Sequence, residues 1–279
     1  MKLIKESLYI VSTPIGNLED ITLRAIEVLK KSDIILCEDT RHSLKLFNHL
    51  KLKKKLISYH KFNEKKKITS IIEHIKQGKI LTLISDAGTP MLSDPGRILI
   101  NECINNKIKI IPIPGVSSIT SAMSVSGFDD KFLFFGFLPK KEKELEKTLT
   151  LLSKIVYSII LFVPAQKINF YLKRLRNYFS GRNLMIAREM TKIHETFYRT
   201  SIDNFKGFES NIKGELTIVI SEIKSHGKIF NKDKIINKAK NYLKKYSLKD
   251  TVDLLFQSEK INKKKIYQLC LKIKNEKNN

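Results

Sequence analysis

Short apolar runs alternate with amphipathic stretches over the first 115 residues of the chain. Each run has four to six residues rich in Ile, Leu and Val, and a stretch with apolar residues at helical spacing follows it. The five pairs are LYIV with ITLRAIEVLKK, DIILCE with RHSLKLFNHL, KLIS with ITSIIEHIKQ, ILTLIS with RILINECINN, and KIIPI with SSITSAMSVS. Five strand-and-helix units in succession predict a mostly parallel sheet with helices on both faces. We therefore expect a parallel α/β domain over residues 1–115.

The regular alternation of strand and helix patterns ends after the segment PIPGV. The runs FLFFGFLP, YSIILFVP, NLMIARE, TFYRTSI and GELTIVISE predict further strands, and KEKELEKTLTLLSK and QKINFYLKRLRNYF predict helices. These elements predict a second, mixed α/β domain over residues 116–223.

The last part of the chain, residues 224–279, has no convincing strand pattern. SLKDTVDLLFQ and NKKKIYQLCLKIK have apolar residues at helical spacing, the turn SEKI separates them, and Ser247 and Asn262 are plausible N-caps. The pair resembles a helix-turn-helix, in which Lys263, Lys264 and Lys265 open the second helix and meet nucleic acid. The alternative is a helical pair that packs on the other two domains or on a dimer partner.

The net charge of +24 favours a polyanionic partner, of which nucleic acid is the first candidate. The excess is concentrated in residues 224–279, which contain sixteen Lys, no Arg and five Asp or Glu. A solvated basic face, with lysine favoured by AT-rich coding, is the alternative interpretation.

Several classes of protein do not fit the sequence. No apolar run is long enough to cross a bilayer, and the N-terminus lacks the long apolar segment of a signal peptide, so we expect a cytoplasmic protein. Cys37, Cys103 and Cys270 stand singly among apolar neighbours, which predicts core packing rather than a disulfide framework or a CxxC metal site. No cluster of metal ligands is evident.

Three Gly- and Pro-containing loops follow predicted strands, and they are the candidates for a ligand site. VSTPIGN follows the first strand, SDAGTPMLSDPG the fourth and PIPGVSSIT the fifth. In open α/β sheets, ligands bind beyond the carboxyl ends of the strands, where these loops would lie together. None of the loops matches GxGxxG or GxxxxGK[ST]. We expect Asp86 to contact the ligand and Asp94 to cap a helix that begins near Gly96.

Seven segments, in order, are similar to the tetrapyrrole methylase superfamily: LYIVSTPIGNLEDITLRA, CEDTRH, SDAGTPMLSDPG, PIPGVSS, GFLPKK, AREMTKIHET and KGEL. TPIGNLEDIT, EDTRH and SDAGTP together resemble its branch of bacterial 16S rRNA cytidine 2′-O-methyltransferases. The resemblance implies two α/β domains with S-adenosylmethionine in the cleft between them. It also implies a homodimer that methylates a cytidine ribose of 16S rRNA in the small ribosomal subunit.

The same resemblance implies a set of site residues. The cofactor-binding positions would be Pro14, Gly16, Asp86, Gly88, Thr89, Pro90, Ser117, Ser118, Ile119, Val163, Ala187 and Leu216. The candidates for catalysis are Glu38, Arg41 and Glu189, with Glu38 or Glu189 handling the proton of the ribose hydroxyl. Arg41, Arg188 and Lys213 could equally bind RNA phosphate, as could Lys263, Lys264 and Lys265. The alternative for the charged residues near the cleft is that they pair with one another and hold the domains together.

Two alternatives stay open at this point. One is a methylase of the same fold that acts on a small tetrapyrrole. The other is a catalytically weakened rRNA-binding relative, because this chain reads FVPAQKI where relatives usually read F-Y-E-S-[PT]-H-R-L, and so lacks the Tyr, Glu, His and Arg.

Overall fold

The structure is a computed structural model that describes residues 3–223, 232–259 and 263–275. The contacts within the chain divide it into two compact units, Met1–Glu222 and Ile223–Asn279.

The first sheet contains five parallel strands in the order β3-β2-β4-β1-β5, as the alternating pattern predicts. Its strands are β1 Ser7–Val11, β2 Ile34–Cys37, β3 Lys55–Ser58, β4 Leu81–Ile84 and β5 Lys109–Ile113. The helices that follow them are α1 Leu23–Lys31, α2 Thr40–His49, α3 Glu64–Lys76, α4 Arg97–Asn105 and α5 Ser118–Ser124. Successive residues of β1 pack into different clusters, Leu8 into one and Tyr9 into the other, because side chains alternate between the two faces of a sheet.

The second sheet is mixed, in the order β6-β7-β10-β8-β9. β6 pairs with β7 in parallel, and the other three pairings are antiparallel. Its strands are β6 Phe132–Phe137, β7 Ser158–Pro164, β8 Asn183–Arg188, β9 Thr196–Ser201 and β10 Glu215–Ile220. The helices α6 Glu142–Ser153 and α7 Ile168–Phe179 bury their apolar faces in its core, together with side chains of β7 and β10.

The predicted cap of α4 is wrong. The N-cap is Gly96, which has a φ of 135° and so a conformation that L side chains rarely adopt, and no side chain caps the helix. Asp94 is two residues further back, in a loop whose Met91 and Ser93 also have positive φ. This backbone path directs Asp94 away from the helix and into a cavity.

The unit Ile223–Asn279 is helical in its described part, with α8 Lys232–Tyr242, α9 Leu248–Glu259 and α10 Lys263–Asn275. Ser247 caps α9 as predicted, since its hydroxyl accepts from Asp250 N–H at 3.2 Å. Asn262, the other predicted cap, lies outside the described residues. The helix α8 was not predicted from the sequence pattern. The three helices share a core of Ala239, Val252, Leu255, Ile266, Cys270 and Ile273.

The three cysteines are fully buried, as predicted. Burial raises the pKa of each thiol, that of Cys103 to about 12. Over the described residues, no helix is both long enough and apolar enough to cross a lipid bilayer.

Candidate functional site

The loops after β1, β4 and β5 are hydrogen-bonded to one another at the carboxyl edge of the first sheet. Thr13 and Gly88 exchange two backbone hydrogen bonds of 2.9 Å. The hydroxyls of Ser12 and Thr89 share a hydrogen bond of 3.0 Å, and the Thr89 hydroxyl also donates to Val116 O at 3.2 Å. The three predicted loops therefore form one connected surface.

Gly88 makes this close approach possible. Its φ is 77°, and a Cβ atom there would lie 3.3 Å from the Ile15 side chain. A larger residue would be strained by the backbone conformation and crowded by Ile15, so the glycine is needed on both counts.

A cavity of about 450 Å³ opens beside this surface, and we call it the inner cavity. The loops of the first sheet line one side of it, and the ends of β6, β7 and β10 line the other. Its apolar walls include Ile15, Ile119, Phe162, Val163 and Leu216. The volume and the mixed lining are those of a site for a small molecule or cofactor.

The charge of the inner cavity is opposite to that of the chain as a whole. Among the described residues that line it, the ionisable side chains are all acidic: Glu38, Asp86, Asp94 and Glu215. A cavity lined by carboxylates, in a chain with a net charge of +24, favours a cationic ligand.

Two of these carboxyls have raised pKa values. Burial and the charges of Glu38 and Asp86 raise the pKa of Asp94 to about 7. Burial and the charge of Asp86 also raise the pKa of Glu38, although His60 opposes part of that shift. Asp86 accepts a hydrogen bond of 3.1 Å from Asp39 N–H, which ties the loop after β4 to the loop after β2.

The loop between β8 and β9 is fixed by ion pairs. Lys192 Nζ lies 3.0 Å from Glu189 and 3.0 Å from Glu215. Glu189 also accepts from Glu215 N–H at 2.9 Å, and its carboxyl group packs so closely on Gly214 that a Cβ there would lie 2.5 Å from Glu189 Cδ. Burial opposes ionisation of Glu189, but these partners outweigh it and lower its pKa. The carboxylate of Glu189 is thus held both by Lys192 of its own loop and by the backbone at the start of β10.

Two further cavities adjoin the inner cavity. The side cavity is lined by Pro14, Gly16, His42 and Lys192 among others. The outer cavity lies between the loops after β2 and β3, and it shares Glu38 and Asp86 with the inner cavity.

Eight of the twelve predicted cofactor residues line the inner cavity: Asp86, Gly88, Thr89, Ser117, Ser118, Ile119, Val163 and Leu216. Pro14 and Gly16 line the side cavity instead. Pro90 is buried and lines neither cavity, and Ala187 is fully buried in the core, where it pairs with Thr217 of β10.

The other predicted site residues lie in different places. Glu38 faces both the inner and the outer cavity, and Arg41 lines the outer cavity. Arg188 Nε donates to Lys213 O at 3.1 Å, next to Gly214 at the edge of the inner cavity. Lys263, Lys264 and Lys265 occupy the first positions of α10, and their side chains lie outside the described part of the chain. The roles of all these residues stay predictions.

Comparison with known proteins identifies the family. A model of the family described as Tetrapyrrole (Corrin/Porphyrin) Methylases matches residues 7–206. The ribosomal RNA small subunit methyltransferase I of Rickettsia prowazekii is 40% identical over 98% of this chain and 99% of its own length. The protein of that name from Buchnera aphidicola subsp. Acyrthosiphon pisum is 39% identical over 95% of this chain and 96% of its own. The chain belongs to the tetrapyrrole methylases. The family membership implied by the seven segments is confirmed.

Solved structures confirm the tetrapyrrole methylase fold. A uroporphyrin III C-methyl transferase from Thermus thermophilus, complexed with S-adenyl homocysteine, has a TM-score of 0.57 at 14% identity over 77% of this chain and 97% of that one. A diphthine synthase has a TM-score of 0.61 at 14% identity over 77% of this chain and 89% of that one.

One relative of this tetrapyrrole methylase is shorter than the chain itself. The ribosomal RNA small subunit methyltransferase I of Thermotoga maritima is 42% identical over 217 residues, which are 97% of its own length but 77% of this chain. About a quarter of this methylase therefore has no counterpart in that relative.

Three side chains that give the outer cavity its character were not predicted from the sequence. His60, Lys61 and Phe62 belong to SYHKFNE, which begins at the last residue of β3 and reads as an ordinary polar connection. A histidine and a phenylalanine directly after a strand of a parallel sheet were the available signal.

Proposed function

We propose that the protein is an S-adenosylmethionine-dependent methyltransferase that methylates the 2′-hydroxyl of a cytidine ribose in 16S rRNA. The observation that carries the proposal is the all-acidic set of ionisable side chains around the inner cavity of a strongly basic chain. S-adenosylmethionine carries a sulfonium and an ammonium group, and both are complementary to these carboxylates. The names of the relatives at 39–40% identity support an rRNA substrate.

The residues of the inner cavity fit this cofactor. Asp86 can accept hydrogen bonds from ribose hydroxyls or an amino group, and the walls at Ile119, Phe162 and Leu216 can pack on an adenine ring. Gly88 leaves open the approach to the loop backbone. S-adenosylmethionine supplies an activated methyl group.

The remaining task of the chain is to orient a ribose hydroxyl and to accept its proton. Glu38 is the group that we assign to the proton, because it faces both the inner and the outer cavity and its raised pKa makes it a better base than an ordinary carboxylate. Glu189, the other candidate, has a lowered pKa and is bound to Lys192. We therefore assign Glu189 a positioning role.

The proposal extends to the partners and the location that the family resemblance implies. We take the substrate to be 16S rRNA in the small ribosomal subunit, the protein to act as a homodimer, and the cytoplasm to be its place of action. The names of the relatives specify the small subunit. Light scattering of the purified protein tests the dimer.

Methyl transfer from labelled S-adenosylmethionine to small ribosomal subunits tests the proposal. Asp86→Asn should weaken cofactor binding by about ten- to a hundred-fold, the range expected for losing a hydrogen bond to a charged group. Glu38→Gln should bind the cofactor and lower turnover by about a hundred-fold or more. Glu73→Gln, a change on the exposed face of α3, is the matched control. Normal turnover of Glu38→Gln would contradict its assignment.

The same assay separates the alternatives. A tetrapyrrole methylase would methylate uroporphyrinogen and leave subunits unlabelled. A catalytically weakened relative would bind subunits but label neither substrate.

A further inference from the structure

The outer cavity has a different character from the inner one. It measures about 470 Å³, and basic side chains and an aromatic ring join the carboxylates of Glu38, Asp39 and Asp86 around it: Arg41, His60, Lys61 and Phe62. Of the basic groups, Arg41 is ion-paired with Asp39 at 2.6 Å. The inner and outer cavities meet at Glu38 and Asp86, so a methyl group held in the inner cavity can reach a second substrate across this boundary. Of the two adjoining cavities, the outer one combines basic side chains with an exposed aromatic ring, which makes it the better candidate for the second substrate.

Phe62 is unusually exposed for a phenylalanine. Its side chain is 90% accessible to solvent, and its contact with the edge of the His60 ring, at a centroid distance of 6.0 Å, leaves most of the ring free. An exposed aromatic ring contributes little to folding, and both faces of this one are open to a ligand that enters the outer cavity.

The loop that carries Phe62 is fixed by hydrogen bonds. Tyr59 N–H donates to Cys37 O at 2.7 Å, and His60 N–H donates to the Asn63 side chain at 2.9 Å. The Asn63 amide in turn donates to Ser58 O at 3.2 Å. These hydrogen bonds fix the backbone that carries the ring, and a fixed backbone lowers the entropy cost of binding a partner to the ring.

We propose that Phe62 stacks on the base of the nucleotide to be methylated. This inference rests on the proposed function and names the binding site of its RNA substrate. The ribose of that nucleotide then lies at the boundary beside Glu38, and the exposed Lys61 faces its phosphates, with Arg41, whose guanidinium is paired with Asp39, beside it.

The chemistry of the cavity favours a nucleotide over a protein segment. Aromatic rings beside basic groups are the usual means of binding unstacked bases and their backbone, because every base offers a π-face and every phosphate a negative charge. An apolar protein segment would need a broader apolar surface, and Phe62 is the one apolar side chain among the described residues that line this cavity.

The experiment compares Phe62→Ala, Phe62→Leu and Phe62→Trp in the full-length protein, with small ribosomal subunits as substrate. Loss of one stacked base should raise KM for subunits and weaken their binding by about five- to a hundred-fold in the Ala variant. Trp should restore both to within about two-fold, and Leu should resemble Ala because it lacks a π-face. Cofactor affinity, measured by calorimetry, should not change. Phe170→Ala, at another exposed phenylalanine that lines none of the three cavities, is the matched control.

Equal KM and binding for Phe62→Ala and the unaltered protein would overturn the stacking proposal. Full restoration by Leu would also overturn it, since an apolar contact with a protein would then suffice. Binding of subunits is measured by filter retention alongside turnover. If the unaltered protein transfers no methyl group, the proposed function fails, while the binding series still decides whether Phe62 stacks.

Discussion

At the scale of single residues, Asp94 makes the negative charge of the inner cavity depend on pH. Its pKa of about 7 comes from burial and from the charges of Glu38 and Asp86, which all disfavour the ionised carboxylate. A cationic ligand acts in the opposite direction, because it stabilises the ionised form and lowers the pKa when it binds.

The affinity for S-adenosylmethionine should therefore rise between pH 6 and pH 8, as Asp94 loses its proton. We expect an increase of about five-fold, the size of one partly screened ion pair. Asp94→Asn should remove this increase, and S-adenosylhomocysteine, which lacks the sulfonium charge, should show a smaller one. Calorimetry at several pH values measures both, and an undiminished pH dependence in Asp94→Asn would count against this role.

Gly88 can be tested against a glycine with a similar backbone. Gly78 has a φ of 83° and open space where a Cβ would lie, whereas Gly88 has a φ of 77° and Ile15 at 3.3 Å. Both Ala variants should lose about 1 kcal/mol of unfolding free energy from the left-handed conformation. We expect Gly88→Ala alone to lose cofactor affinity as well. Equal cofactor binding by the two variants would show that the close approach is unimportant to the site.

At the scale of elements, the loop between β8 and β9 joins the two sides of the site. Thr191 of this loop accepts from Asn17 N–H at 3.0 Å, and Lys192 bridges Glu189 and Glu215. The loop thereby connects the segment after β1 to the ends of β8 and β10.

Glu189→Gln should weaken this connection without removing a catalytic group. Because the folded state lowers the pKa of Glu189, its ionisation stabilises the fold above the unfolded pKa of about 4.5, and this contribution is lost as the pH falls through the folded value. At pH 7 the variant should lose about 1 kcal/mol of unfolding free energy. Its turnover should keep the pH profile of the unaltered protein, and a collapse of turnover like that of Glu38→Gln would refute the positioning role.

The segment FVPAQKI, which departs from the family pattern, lies partly in the wall of the inner cavity and partly in the core. Phe162, Val163 and Pro164 line the inner cavity, while Ala165 and Ile168 are buried in the core of the second sheet. The segment supplies apolar wall and core rather than polar groups. We therefore expect the chain to bind its cofactor without the Tyr, Glu, His and Arg that relatives usually have in this segment.

At the scale of the whole molecule, we expect the basic excess of residues 224–279 to serve substrate binding rather than chemistry. Replacing Lys263, Lys264 and Lys265 with Gln should weaken subunit binding and reduce its log–log salt slope by about 0.7 to 0.9 for each phosphate that is no longer neutralised. Cofactor affinity should not change. Binding measured at several salt concentrations, with circular dichroism as the check on folding, decides this. An unchanged slope would indicate that these lysines only solvate a helix face.

Much of the fold could be predicted from the sequence because its signals are local. The strands β1 to β5 are short apolar runs followed by helical spacing, and right-handed parallel connections leave few other arrangements. The helix α8 was missed because KDKIINKAKNY has few apolar residues, so only its packing on α9 and α10 reveals it.

The site was less predictable, since it depends on contacts between distant segments. Asp86, Gly88 and Thr89 could be chosen from one loop and the family resemblance. The convergence of Glu38, Asp86 and Asp94, by contrast, follows from positive φ angles at Met91 and Ser93 and from the order of the strands. Phe62 was overlooked because exposure is a property of the folded chain.

The central claim is that this chain methylates a ribose 2′-hydroxyl of 16S rRNA. Mass-spectrometric mapping of ribose methylation tests it most directly, on small ribosomal subunits that lack the modification, before and after incubation with the protein and S-adenosylmethionine. We expect one cytidine to gain a single 2′-O-methyl group, and the gain to depend on both the cofactor and Glu38. Unmodified rRNA after incubation with folded, cofactor-binding protein, or a methyl group on a base instead of a ribose, would contradict the account.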